Sequence, residues 1–226
     1  MTMKSLCIAI PAYDGKLPVE TAVNMCHAVS MLHKEGVAVD IQWGAQSALI
    51  DLCRNRLVKR FLTESNAQKL LFLDSDIVFK AADLVRLFKW SQFYPVVGAT
   101  YPVRKEPVKF FINALDGAFE TNKDGLIQVG GFGTGFVIID RSVFEKMDAI
   151  VESIETSEGE ILKRYFDIRV IDGRYLGEDI SFYKRWIDEC AGSVYLDPSI
   201  NLKHVGTKEF DYKLIDYLDQ NLKRIV

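Results

Sequence analysis

The chain predicts an α/β protein organised around a parallel sheet. A continuous apolar run, Leu70-Leu71-Phe72-Leu73, ends abruptly at Asp74-Ser75-Asp76, the pattern of a strand buried on both faces. Strand candidates alternate with helix-period segments through the first hundred residues, which is the signature of βαβ units. The 226 residues are 49% hydrophobic, enough for one sizeable core and a single domain over residues 1–226.

Leu6 to Pro11 is the first strand candidate. Val19, Val23, Cys26, Val29 and Leu32 then recur at helical spacing, and Gly36 supplies a stop. Val37 to Trp43 returns to strand. Ser47 is placed to cap a second helix with Leu49, Ile50, Cys53, Leu57 and Phe61 on one face, before the strand that ends at Asp74. These elements make a Rossmann-like βαβαβ half, residues 1–101, completed by a helix over Ala81 to Gln92 and a strand over Val96 to Tyr101.

Beyond that point Pro102, Pro107, Asn113, Asp116, Asn122, Asp124 and Gly125 punctuate short β-prone runs. A smaller mixed-sheet half over 102–226 is expected rather than further crossovers. Gly135 to Asp140 reads as a buried strand, Arg141 to Ala149 as a short helix, and the aperiodic polar segment Glu152 to Gly159 as a mobile loop. Glu178 and Asp179 open a helix whose Phe182, Tyr183, Trp186 and Ile187 follow helical spacing.

Composition excludes several classes of function. A net charge of −3 leaves no electrostatic footprint for nucleic acid, and the basic residues between Arg54 and Arg60 read as a solvated helix face. Cys7, Cys26, Cys53 and Cys190 are scattered without a C-x-x-C pair, the usage of buried thiols in a reducing compartment. Leu6 to Ile10 is too short for a secretory segment, and no run approaches the roughly 18 apolar residues of a membrane span. The expectation is a soluble cytoplasmic protein.

The chemistry concentrates in four places. Asp74 and Asp76 stand at the carboxyl end of a strand, where open α/β sheets collect ligands. In extended geometry they share a side while Ser75 turns away, and hard carboxylate oxygens suit Mn2+ or Mg2+ with a substrate phosphate. The alternative is a capped turn at Asp74 and a solvated Asp76. Gly130-Gly131-Phe132-Gly133-Thr134-Gly135 lacks the third glycine of a dinucleotide fingerprint and precedes a strand. It is either a ligand loop, with Thr134 offering a hydroxyl and amides to a sugar, or a tight turn. Glu178 and Asp179 in a first helical turn are either dipole caps or a rigidly held general base. His27 and His33 fall on the first helix and read as ordinary surface histidines, whereas His204 lies in an irregular segment from which its imidazole can reach a metal at Asp76.

In order, Pro11-Ala12-Tyr13-Asp14, Cys53-Arg54-Asn55, the run from Leu70 to Asp76, the glycine cluster to Phe136, Gly177-Glu178-Asp179 and His204 resemble a nucleotide-sugar glycosyltransferase of the GT-A fold. The similarity is to the large family with many inverting bacterial and viral enzymes, and it spans Ile8 to about His204. The resemblance implies a sugar donor of UDP or GDP type, a glycan or other hydroxyl acceptor and a manganese or magnesium cofactor. It implies that Pro11, Tyr13 and Asp14 hold the base and that Arg54 and Asn55 approach the nucleoside. Asp74 would lie near ribose or metal, Asp76 and His204 would ligate the metal, Asp179 would activate the acceptor, and Glu178 would orient Asp179 or bind the acceptor. Ser75, Gly133 and Thr134 complete the expected donor site. Tyr101 to Phe111, with Arg104, Lys105 and Lys109, matches nothing in the family.

Three other readings stay open: a retaining transferase of the same fold, a non-catalytic sugar-nucleotide-binding module, and a haloacid-dehalogenase-like phosphatase. The last would use Asp74 as phosphorylated nucleophile in D-S-D-I-V. That family carries its nucleophile on the first strand, whereas two βα units precede Asp74 here.

Overall fold

The computed structural model describes residues 4–44, 48–115, 117, 119–206 and 210–222. The expected cap at Ser47 and the punctuation at Asp116 lie outside them. In chain order the elements are β1 (Ser5–Pro11), α1 (Val19–Lys34), β2 (Ala38–Gly44), α2 (Ile50–Glu64), β3 (Lys69–Leu73), β4 (Ile77–Val78) and α3 (Ala81–Trp90). There follow β5 (Val96–Gly98), β6 (Ile112–Ala114), β7 (Ile127–Phe132), β8 (Phe136–Asp140), α4 (Arg141–Met147), β9 (Ser153–Glu155) and β10 (Ile161–Lys163). The last are β11 (Arg169–Ile171), β12 (Arg174–Leu176), α5 (Glu178–Asp188), β13 (Tyr195–Leu196), β14 (Lys203–His204), β15 (Phe210–Asp211) and α6 (Leu214–Leu222).

The main sheet runs β2-β1-β3-β8-β5-β13-β7-β6. Its β2-β1-β3 portion is parallel, as the βαβαβ pattern requires. β8 then enters antiparallel between β3 and β5, so the second half extends the same sheet. Side chains alternate between two cores. Leu6, Ile8, Ile10, Leu71 and Leu73 face α1 and α3, while Cys7, Ala9, Leu70 and Phe72 face α2, α4 and α5. Strands covered on both faces account for the unbroken apolar runs in the sequence.

Five expectations are corrected. The buried face of α1 is Thr21, Ala28 and Leu32, not the stripe that includes Val19, Val23 and Cys26, which are exposed. Small residues let this helix lie close to the sheet end, where the Thr21 hydroxyl donates to the Ile77 carbonyl at 2.9 Å. Cys26 also departs from the expectation of four buried thiols. The segment Glu152 to Gly159 is an ordered hairpin arm: β9 pairs with β10, and Glu158 and Glu160 reach Arg56 and Lys59 on α2. Those pairs also mean that the basic face of α2 is bridged rather than solvated, and Arg54 is buried. His204 belongs to a short strand, β14, rather than an irregular segment. Among the described residues no helix is long and apolar enough to cross a membrane.

Candidate active site

β3 delivers the chain to Asp74 at the centre of the sheet, and the backbone there turns instead of staying extended. The Ile77 amide donates to the Asp74 carbonyl at 3.1 Å, closing a turn over Asp74 to Ile77. The alternation rule for strands therefore does not apply, and the two aspartates serve different neighbourhoods. This corrects the expectation that both face one cluster.

Asp74 points inward. Arg54 on α2, only 3% exposed, holds its carboxylate with Nη2 at 2.9 Å from Oδ1 and 3.1 Å from Oδ2. The same guanidinium lies over the Phe72 ring and brings Nε to 3.7 Å from the Glu178 carboxylate. Burial opposes the Arg54 charge, but Asp74 and Glu178 outweigh it and hold the group ionised above its ordinary value. Arg54 thus ties the end of β3 to the first turn of α5.

Asp179 sits beside this bridge. Its Oδ1 accepts from the Ile180 amide at 2.7 Å. Burial, helped by the neighbouring Glu178 charge, pushes its carboxyl up to about 6. A carboxyl with that value is mostly ionised at neutral pH and more basic than an ordinary carboxylate, the condition of an efficient general base. Burial also keeps the Tyr101 and Tyr183 phenols protonated. Tyr183 Oη, Thr134 Oγ1 and Arg54 Nη1 are buried without hydrogen-bond partners among the described residues. Polar groups beyond what packing can satisfy are costly, and they cluster at sites kept for chemistry.

The glycine cluster is explained by close approach. A Cβ at Gly135 would stand 2.7 Å from both Asp74 Oδ2 and the Tyr101 hydroxyl, and one at Gly133 would stand 2.8 Å from that hydroxyl. Gly133 and Thr134 therefore act from behind the site. Thr134 is buried, so its hydroxyl does not stand open at the surface for the sugar contact that the ligand-loop reading gave it.

Asp76 points outward and is half-exposed. Its Oδ2 is ion-paired with Arg104 and lies 3.4 Å from His204 Nε2. The antiparallel register sets His204 opposite Ile77, and the Val205 amide donates to the Asp76 carbonyl at 2.8 Å. His204 Nδ1 donates to the Pro102 carbonyl at 2.9 Å. Burial raises the Asp76 carboxyl, but His204 and Arg104 more than offset it and hold the group below its ordinary value. Among the described residues no group of three or more His, Cys, Asp or Glu side chains is gathered for a metal. Asp76 and His204 share one point, and Asp74 is withheld from it by Arg54.

A cleft of about 420 Å³ opens over Asp74, Ser75 and Asp76, walled by Pro11, Tyr13, Ile50 and Cys53. Tyr13 is 66% exposed, a free ring for stacking. Asp14 instead accepts from the Lys16 amide in its own turn. Asn55 is a further correction: its amide donates to the Phe166 carbonyl at 2.7 Å and accepts from the Phe166 amide at 2.9 Å, so it is committed to the backbone and buried. Arg104 and Tyr101 are the site residues to which the sequence assigned no role. Their position depends on a loop closed by the Pro102–Phe110 bridge, which no local periodicity announces.

Two solved structures with this architecture are A197 from STIV and GalNAc-T7 with UDP, GalNAc and Mn2+. The first matches at a TM-score of 0.57 and 19% identity, over 94% of this chain and 91% of its own. The second matches at 0.53 and 10% identity, over 91% of this chain and 44% of its own. The fold is that of GT-A glycosyltransferases. No protein-family model and no curated protein matches the chain. At these identities the likeness concerns the fold, and the chain spans less than half of the GalNAc-T7 chain. Within the GT-A fold, the cleft lies at the carboxyl end of the parallel strands, where sheets of this kind bind ligands.

Proposed function

We propose that the protein transfers a sugar from a nucleotide-diphosphate donor of UDP or GDP type to an acceptor hydroxyl, with inversion, using Mn2+ or Mg2+. The observation that carries this reading is the bridge from Asp74, on the cleft floor, through Arg54 to Glu178, the residue next to the raised carboxyl of Asp179. Donor and base are then held by one rigid set of charges.

Pro11 and Tyr13 would receive the base, and Ser75 would face the sugar-diphosphate. Asp76 Oδ2 and His204 Nε2, 3.4 Å apart, would hold the divalent ion through a hard oxygen and an imidazole nitrogen. When bound, such an ion stabilises the negative charge that builds on the departing diphosphate. Asp179 takes the proton of the acceptor hydroxyl as it attacks the face opposite the leaving group. Glu178 keeps that base raised by its own negative charge and answers to Arg54, which limits the shift. General-base assistance supplies about 100 to 10,000-fold, so positioning carries much of the remainder.

Asp74 is a poor phosphoryl nucleophile in this setting, because both its oxygens are close to the Arg54 guanidinium. That observation favours transfer over the phosphatase reading. The test is a panel of UDP- and GDP-sugars screened for manganese-dependent thermal stabilisation and hydrolysis, followed by NMR of the product anomer. Inverted product formed by the wild type and lost in Asp179→Asn supports the proposal. A retained anomer, no manganese-dependent stabilisation by any donor, or a phosphoenzyme trapped on Asp74 would overturn it.

A further inference from the structure

We propose that Arg104 is an exchangeable counter-ion: it pairs with Asp76, competes with the divalent ion for that carboxylate, and moves to the donor diphosphate when the ion takes its place. The proposal rests on the reading of Asp76 and His204 as the metal-holding pair.

Three features of the outer site lead to it. The first is coincidence at one atom, since Arg104 Nη2 and His204 Nε2 both address Asp76 Oδ2. The Pro102 carbonyl can only accept, so His204 carries a proton on Nδ1. A cation drawn to this oxygen from the His204 side must therefore displace Arg104.

The second feature is a prepared seat. A Cβ at Gly206 would lie 3.1 Å from Arg104 Nε, 3.2 Å from Cδ and 3.4 Å from Cζ. Gly206 thus leaves space for the side chain to lie across the strand that carries His204. The third is the exposure of the pair: Arg104 and Asp76 are 39% and 40% exposed, unlike the buried Arg54 beside Asp74. An ion pair open to water is worth little and exchanges readily, whereas a buried one is costly to break. The guanidinium fork matches phosphate oxygens as well as a carboxylate. Released at the cleft mouth, it would meet the diphosphate that arrives with the metal.

A competitor on Asp76 makes free metal bind weakly, and a ligand that draws the competitor away makes metal and nucleotide strengthen one another. The experiment titrates Mn2+ into the whole chain without nucleotide, following free Mn2+ by electron paramagnetic resonance, for wild type, Arg104→Ala and Arg104→Lys. Arg104→Ala is expected to bind Mn2+ about tenfold more tightly than wild type, within the usual 5- to 150-fold range of such couplings. Arg104→Lys should stay near wild type. With Mn2+ saturating, UDP and GDP are titrated separately by calorimetry, and whichever binds wild type should bind Arg104→Ala more weakly. Circular dichroism checks that the variants fold, as the exposed position leads one to expect. Unchanged or weaker Mn2+ binding by Arg104→Ala, or no Mn2+ binding by either protein, overturns the exchange. The metal titration involves no transfer, so tighter Mn2+ binding by the variant would support the exchange even if no nucleotide sugar proved to be a donor.

Discussion

Asp74 and Asp76, two residues apart, occupy opposite electrostatic regimes. Asp74 joins Arg54, Glu178, Asp179 and Tyr101 in a nearly dry cluster where each charge is fixed by another. Asp76 shares a half-exposed oxygen with Arg104 and His204 at the cleft rim. The turn between them separates two electrostatic roles: a rigid inner frame that sets geometry, and an outer group whose partner can change. Low dielectric makes the inner charges expensive to disturb, and water makes the outer ones cheap to rearrange.

The sharpest way to break this contrast is Arg54→Ala, which leaves Asp74 and Glu178 facing one another without a cation. The loss should be about 3–5 kcal/mol, as for other buried pairs missing one partner, measured by urea denaturation. The corresponding cut at the rim, Asp76→Asn, should change stability by no more than about 1 kcal/mol while abolishing manganese-dependent nucleotide binding. Comparable losses for the two would erase the distinction between inner and outer clusters.

Asp179→Asn tests the inner frame from the other side. The folded protein holds the Asp179 proton up to about pH 6, whereas an ordinary carboxyl releases it near 3.8. Across that window the native state binds more protons than the unfolded one, so this residue makes stability fall as pH rises through it, levelling above about 6. The asparagine variant should lose that slope and gain about 1–3 kcal/mol at neutral pH, read from denaturation midpoints between pH 4 and 8. Transfer should drop by about 100-fold or more in the same protein. A variant that is both less active and less stable would argue for a structural part only.

A smaller effect is expected at Gly135→Ala, whose new methyl meets Asp74 Oδ2 and the Tyr101 hydroxyl. Overpacking of this kind costs about 1–3 kcal/mol. It should also weaken nucleotide binding. Equal stability of Gly135→Ala and wild type in a thermal melt would show that the backbone behind Asp74 yields freely.

How much of this was legible in the sequence follows from the range of the interactions involved. β1, β3 and β8 were readable because residues buried on both faces leave unbroken apolar runs, and the site at the end of β3 followed from them. The burial of Arg54 was not readable. Its neighbours Arg56 and Lys59 lie on the same helix and look alike in sequence, yet only Arg54 finds carboxylates from both β3 and α5. The β9–β10 hairpin was hidden for a related reason, since its polar residues are held by charges over a hundred positions earlier in the chain. The two-residue strand at His204 has too few positions to show a period, and α6, with Leu214 and Leu218 in the core, follows the last motif the sequence offered. Arg104 had a legible charge but no legible place.

The position of β8 has a consequence for how the chain acquires its structure. β3 is completed on one side by β1 and on the other by a strand some seventy residues downstream, and β5 also waits for that strand. During synthesis the first hundred residues therefore emerge with β3 as an unprotected hydrogen-bonding edge, the kind of surface that templates association with other chains. The central pairing requires closure of a long loop before any reward is felt, which slows folding. A fragment ending near residue 101, though it contains the whole βαβαβ unit and both aspartates, would lack the strand that closes the sheet and the Gly135 carbonyl that receives the Asp74 amide.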